Sequence, residues 1–490
     1  MGENSCSLLR LPQIAALSAN FLNSKHTRTG CWIGPFRGCY RIAFAVPFRM
    51  EPQPEHGVPS ISFGSYVRLL RDNRNFRRLW AAQIVSEIGD WFYTLSIYSL
   101  LLQLTGRASS VALALVLQVL PQTFIGPTAG VVNDRVRRKY VMITADLVRF
   151  VIVLAMLLVR TRSMVWLVYP LLVAETIMAA FFEPARNAVI PAITPNSDVL
   201  LANTLSSATW SVNLLIGASV GGVVAALLGR DAVFLLNALS FLASAVLIGG
   251  MKFHEPHAES AMPLRPRDLV DYSPVIEGIR YIRGHRGLMA TVFAKSGELM
   301  IGPSWVLFTV MGHRYFPLHW RNLDPEGGAM LGMSLLLGAR GLGALVGPLV
   351  SARWAGREDR RLRLGILLGY LVVAVGYSAL GGSSNVWVAC AWVMLAHMGG
   401  STIWVFSTTL LQLHTDDRFR GRVFAADLGF SMLTIAIGAY VCGRFLDAGA
   451  SARVVATCTG FVMLLPACLW ALAMRRGNAK RVRVSVETGS

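Results

Sequence analysis

From residue 79 onward the chain alternates between apolar runs and short charged breaks. Crossing a hydrocarbon layer about 30 Å thick takes roughly 20 helical residues, because lipid cannot satisfy a bare backbone amide and a helix satisfies it internally. Twelve runs of that length are read, at 79–103, 109–132, 140–160, 163–183, 203–228, 232–251, 286–312, 329–350, 363–381, 385–409, 424–446 and 452–474. The pattern predicts an all-α integral membrane protein with twelve transmembrane helices.

Two shorter stretches carry a different pattern. In "YVRLLRDNRNFRRLW" Arg68, Arg71, Arg74, Arg77 and Arg78 alternate with Val67, Leu69, Leu70, Phe76 and Leu79, as in a helix lying on a membrane surface. In "SPVIEGIRYIRGHRG" Ser273 and Pro274 predict an N-cap and first turn, followed by Val275, Ile276, Ile279 and Ile282 at helical spacing opposite Arg280 and Arg283. A solvated linker with its charges at random is the competing reading. The preceding "HEPHAESAMPLRPRD" predicts a flexible joint. The expected organisation is a disordered extension over 1–60, a six-helix bundle over 61–251, a cytoplasmic linker with an amphipathic helix over 252–285, a second six-helix bundle over 286–475 and a basic cytoplasmic tail over 476–490.

Composition agrees, with 54% hydrophobic and only 15% charged residues in 490. The net charge of +19 would suggest a nucleic-acid partner in a soluble chain. Sorted by segment, however, most of the 46 Lys and Arg precede span 1, fill the even-to-odd loops or follow span 12. That asymmetry predicts a multi-pass protein of the cell inner (plasma) membrane with both termini cytoplasmic, and topology rather than nucleic acid accounts for the charge. The "LLRLPQIAALSANFL" segment is broken by Arg10 and Pro12 and makes a poor signal-peptide core, and Met50 is a candidate true start. Cys6, Cys31, Cys39, Cys390, Cys442, Cys458 and Cys468 form no Cys-x-x-Cys pair, so free thiols are expected, with neither a disulfide framework nor a metal site.

The two halves read as diverged copies. Gly126 and Gly130 precede Asp134, Arg135, Arg137, Arg138 and Lys139, and Gly343 and Gly347 precede Arg353, Gly356, Arg357, Arg360 and Arg361, each cluster lying between the second and third spans of its half. The first cluster, "GVVNDRVRRKY", resembles the loop between spans 2 and 3 of the major facilitator superfamily, Gly-x-Leu-x-Asp-Arg-x-Gly-Arg-Lys/Arg. Gly130, Asp134, Arg135, Arg138 and Lys139 match; Val132 stands for the Leu and Arg137 for the second Gly. "FFEPARNAVIPAITP", with Pro184, Arg186 and Pro191, "LLANTL", and "FRGRVFAAD", with Arg420, Gly421 and Arg422, resemble the branch that includes the enterobactin exporter and macrolide-efflux proteins. The resemblance implies a major facilitator fold of two six-helix pseudo-repeat bundles that rock about a central cavity. It also implies a gating role for the loop, its Asp134 reaching toward span 11; simple topological anchoring is the alternative for Arg137, Arg138 and Lys139.

Span 5 carries Gly217, Ala218, Ser219, Val220, Gly221 and Gly222, which resemble the antiporter pattern Gly-Pro-x-x-Gly-Gly with Ala218 in place of the proline. Close helix packing explains the same residues. Span 4, read as ending at 183, holds no Arg, so the basic site of drug antiporters is expected to be absent.

Charges inside a membrane are costly and mark function. Glu87 and Asp90 in span 1, Asp146 and Arg149 in span 3, Glu175 in span 4, Lys295 and Glu298 as a pair in span 7, and Arg340 in span 8 form the set. Glu87 and Asp90 are candidate proton-coupling acids; static ion pairs with Arg149, Lys295 or Arg340 are the alternative. His397 reads as a core histidine, and Trp91, Phe92, Tyr93, Trp305, Trp392 and Trp404 could line an apolar cavity or simply pack. No Gly-x-x-x-x-Gly-Lys-Ser/Thr, His-Glu-x-x-His or Gly-x-Ser-x-Gly occurs, so neither ATP drive nor common hydrolase chemistry is supported and no cofactor is expected. The expected function is secondary active transport, namely proton-coupled efflux of small amphipathic molecules by a monomer in contact with membrane lipids. An importer or lysolipid transporter of the same fold, and a transport-inactive sensor or scaffold, remain as alternatives.

Overall fold

The computed structural model describes residues 63–195, 197–259, 272–318, 324–356 and 358–487. The expectations for the N-terminal extension, Met50, Cys6, Cys31 and Cys39 lie outside the described residues, as does most of the joint before residue 272. Among the described residues the chain is helical and contains no strand: α1 (Phe63–Asp72), α2 (Arg74–Thr105), α3 (Ala108–Arg135), α4 (Arg138–Met156), α5 (Val168–Ile193), α6 (Val199–Leu228), α7 (Arg230–Gly249), α8 (Pro256–Glu259), α9 (Ser273–Gly284), α10 (Arg286–Phe293), α11 (Ile301–Arg314), α12 (Pro325–Ala355), α13 (Asp359–Gly381), α14 (Val386–His414), α15 (Asp417–Asp447), α16 (Ala452–Val462) and α17 (Leu464–Glu487).

Nine helical stretches among the described residues are long and apolar enough to cross a membrane. Three of the twelve expected crossings fall short: two helices carry several charges, and the third is broken. Helix α2 carries Arg74, Arg77, Arg78, Glu87 and Asp90, and α4 is 19 residues long and carries Arg138, Lys139, Asp146 and Arg149. Expected span 7 is no single helix: α10 and α11 are separated by a 3-10 turn over Ala294–Met300 that holds Lys295, Gly297 and Glu298. The reading of span 4 is also corrected. Helix α5 continues past 183 through Pro184 and Pro191 to Ile193, which puts Arg186 on a membrane helix. The amphipathic helix starts at Ser273, with Tyr272 rather than Ser273 at its N-cap.

Local chemistry sets the boundaries. Asn73 breaks α1 from α2 and its side chain accepts from Phe76 N. Asp324, Asn385 and Ser451 cap α12, α14 and α16 in the same way. Gly106 ends α2 at φ +69°, a left-handed conformation that other residues adopt only under strain.

Helix α2 packs against α6 and α7, α4 against α5 and α7, and α3 against α5. In the second half α14 packs against α12 and α13, α13 against α16, and α11 against α12 and α15. The halves meet along two seams, α6 with α12 and α3 with α15. We call the end of the molecule bearing the 134–139 loop the loop end, and the opposite end the far end. Along α6 and α12 the approach is closest toward the far end: a Cβ on Gly222 would overlap the Ser334 side chain, and one on Gly338 the Ser219 hydroxyl. Between α15 and α3, a Cβ on Gly443 of α15 would lie 2.8 Å from Ala112 of α3, whereas Gly126 and Gly130 of α3, nearer the loop end, face open space.

Candidate functional site

This splay leaves a cavity of about 920 Å³ between the halves. Its lining comes from α5 and α6 on one side and from α11, α12 and α14 on the other, between mid-helix and the loop end: Arg186, Asn203 and Trp210 face Arg340, His397 and Trp404. The far end is tied shut across the halves. Gln103 Nε2 donates to Glu326 at 3.0 Å, and Arg230 lies 3.6 Å from the same carboxylate. Ser99 and His313 are 3.0 Å apart, and Arg314 donates to the Gly106 carbonyl at 3.3 Å. The Asp447 carboxylate accepts from Ala108 N and Ser109 N at 2.7 and 3.2 Å, placing a negative charge on the free amides that begin α3.

Between cavity and far end lies an aromatic clasp. Trp91 stacks on Trp305 with centroids 5.9 Å apart and planes at 6°. Cavity-lining Trp210 packs edge-on against Trp91, and Tyr98 against Trp305. Gly217 and Gly221 admit this arrangement, since a Cβ at either would press on Trp91 or Phe92. The glycines of the span 5 pattern therefore serve close packing within the first half and, at Gly222, between halves.

The buried charges sort into separate groups. Arg149 binds Asp90 and Glu175 at 2.8 Å each, has Asp146 at 3.9 Å on its own helix and stacks on the Phe241 ring at 3.9 Å. Asp146 is fully buried, whereas the Asp90 side chain is 32% exposed. Glu87, one turn before Asp90, is bound elsewhere: Arg186 and Asn213 donate to it at 2.8 Å and Gln83 at 2.9 Å, while Arg186 also pairs with Glu183. In the second half Lys295 pairs with neither Glu87 nor Asp90, nor with Glu298 three residues on. Lys295 instead binds Asp427 of α15 at 2.5 Å and lies over cavity-lining Trp404, because the 3-10 turn aims it across the bundle. Glu298 is buried with no cation within 4 Å among the described residues. Arg340 likewise has no carboxylate within 4 Å among the described residues; its guanidinium lies 4.3 Å over Trp305 with Nη1 buried and unbonded. Sequence reasoning missed Asp427, Asn213 and Gln83, and "FRGRVFAAD" held the only hint of the first. His397 is buried against Tyr377 at 3.1 Å and Phe308 while also lining the cavity.

The loop itself is anchored through its bases. Arg138 donates to the Asn133 and Ala188 carbonyls at 3.1 and 3.2 Å, and Lys139 to those of Gly249 and Met251 at 2.8 and 2.7 Å, at the end of α7. Glu255 accepts from the amides of Arg138 and Lys139, completing the start of α4. Asp134 does not reach α15 in this conformation; its side chain is 76% exposed and pairs with Arg138 at 3.5 Å. Arg135 ends α3. Of the branch residues, Arg186 enters the cavity, Pro184 and Pro191 lie within α5, and Arg420, Gly421 and Arg422 stand in the first turns of α15, where Arg422 binds Glu277 of α9 at 2.6 Å. No group of three or more His, Cys, Asp or Glu suited to a metal occurs among the described residues.

The family model of transmembrane secretion effectors matches residues 69–485. The chain belongs to this family of the major facilitator superfamily. Membership and the nine apolar helices make the chain a multi-pass membrane protein of a transporter superfamily. Macrolide efflux protein A of Streptococcus pyogenes is 24% identical over 379 residues, spanning 76% of this chain and 89% of that protein. The putative bacilysin exporter BacE of Bacillus subtilis (strain 168) is 24% identical over 327 residues, spanning 66% and 77%. Among solved structures, nucleoside transporter NupG superposes with a TM-score of 0.62 at 9% identity, covering 82% of this chain and 99% of that one, and a bacterial homologue of the lysosomal transporter Spinster with 0.59 at 14% identity, covering 82% and 97%. These likenesses fix the fold.

Proposed function

We propose that this secretion-effector relative is a proton-coupled exporter of small amphipathic molecules, working by alternating access in the inner membrane with both termini and the loop end cytoplasmic. The observation that carries the reading is the cavity, wide toward the loop end and tied shut at the far end across the halves. Helices 61–251 and 286–475 act as the two bundles. The named activities of macrolide efflux protein A and BacE support export of a small molecule.

Charge arithmetic supports proton coupling. One guanidinium, Arg149, faces three carboxylates, Asp90, Glu175 and Asp146. Were all three ionised the buried group would carry two uncompensated charges, which a low-dielectric interior disfavours strongly. The cluster therefore holds at least one proton, and Asp90, its most exposed member, is the group that exchanges it with the cavity. In the opposite conformation Asp134 leaves Arg138 to meet α15, and the glycines of α3 that now face open space receive their neighbours.

Reconstitution into liposomes with an imposed pH gradient tests this, using a panel of macrolides, dipeptide antibiotics and siderophores. Solute-evoked proton flux is expected, together with an Asp90→Asn variant whose solute movement no longer follows the gradient. Solute movement indifferent to the gradient in the wild type would remove proton coupling, and no movement of any solute would remove the exporter reading.

A further inference from the structure

We infer that Arg340 is an anion-recognition site in the cavity, and that the transported molecule carries a carboxylate on an otherwise apolar or aromatic body. The inference rests on the transport reading for its physiological meaning but on geometry for its chemistry.

Four cations lie deep among the helices, and three of them are neutralised. Arg149, Arg186 and Lys295 each have a carboxylate at 2.5–2.8 Å. Arg340 has none among the described residues, and its Nη1 is buried without a hydrogen bond, although the residue sits on the cavity wall. What holds it is the Trp305 ring face at 4.3 Å, a cation–π contact that orients the guanidinium plane without using its donors. The ring is itself held by Trp91 and Tyr98, so the fork is fixed before any ligand arrives.

A guanidinium at the cavity wall whose Nη1 is buried without an acceptor is costly, and the missing half of the pair is an acceptor with matching geometry. A ligand carboxylate supplies two oxygens to that fork. The remaining lining fits the rest of such a molecule: Trp210, Trp404, Met300 and Pro348 offer apolar surface, and Asn203 and Ser401 offer a few polar contacts. A volume of about 920 Å³ lies near the upper end of the range for small-molecule sites. The other charged cavity residue, Arg186, already serves Glu87 and Glu183, so the anion is directed to Arg340.

The test uses purified full-length protein in detergent and a panel of dansylated amino acids, each as the free acid and as the matched carboxamide, with binding followed by energy transfer from tryptophan. The wild type is expected to bind at least one acid about tenfold or more tighter than its amide. Arg340→Gln should abolish that preference, and Arg340→Lys should retain part of it. Should Arg340→Gln fail to give monodisperse protein, Arg340→Lys decides: a preference equal to that of the wild type overturns the role of the planar fork. Acid and amide binding alike in the wild type, an undiminished preference in Arg340→Gln, or no acid bound by the wild type would each overturn the inference. Because binding is read without a gradient, a preference that survives absent transport leaves this site standing while the exporter reading fails.

Discussion

Arg149 and Arg340 sit at similar depth in the two halves and live under opposite conditions. Arg149 is shared among three carboxylates and a Phe ring, while Arg340 has a tryptophan face and no carboxylate. The first environment has more carboxylates than its one guanidinium can neutralise, and the proposed proton coupling rests on that imbalance. The second has positive charge with no carboxylate beside it, and the proposed anion site rests on that imbalance. Both pair an aromatic ring with a guanidinium, so counting Arg in helices does not reveal a residue's work; the local balance of charge does.

Substitutions at each site can break that contrast. The largest effect is expected for Arg149→Met, which strands the carboxylates around it and should cost about 3–5 kcal/mol; the thermal unfolding midpoint of purified protein should fall steeply, and an unchanged midpoint would mean that all three carboxylates are already protonated. Lys295→Met should cost about 3 kcal/mol because Asp427 is left buried alone, whereas Lys295→Met combined with Asp427→Leu should recover most of it; a double variant as unstable as the single would show that Lys295 acts through something other than this pair. Gly222→Val, pressing on Ser334 across the α6–α12 seam, should cost about 1–3 kcal/mol and favour conformations in which the far end parts, read as faster labelling of a cysteine placed at Ser334. Arg340→Met should leave the ligand-free protein within about 1 kcal/mol of wild type, since lost cation–π attraction is offset by relieved desolvation; a loss as large as that at Arg149 would erase the contrast. The exposed Arg160–Asp231 pair sets the floor, and Arg160→Ala should change stability by less than about 1 kcal/mol.

How much of this was legible in the chain depends on the range of the interaction. The 134–139 loop declares itself because one acid and four bases interrupt two apolar runs, and its neighbours are local. Lys295 does not: its sequence neighbour Glu298 offers an obvious partner, but a 3-10 turn rotates the lysine toward Asp427, 132 residues away. A helical wheel carries no information about which wheel it meets. Arg186 was hidden for another reason. Span 4 reads as ending at 183, yet α5 runs on through Pro184 and Pro191 to Ile193 and places the arginine against Glu87. The expected crossings that fall short, α2, α4 and the broken α10–α11 segment, hold most of the buried charge among the described residues. There the apolar pattern is weakest because solvent-like chemistry has been moved inside.

The Trp91–Trp305 stack has a practical consequence. One ring belongs to each half and they lie face to face, so any swing that opens the far end must pull two strongly coupled chromophores apart. The native chain thus contains an intrinsic optical gauge of its own cycle, readable as a change in near-ultraviolet dichroism and indole emission without attaching a dye.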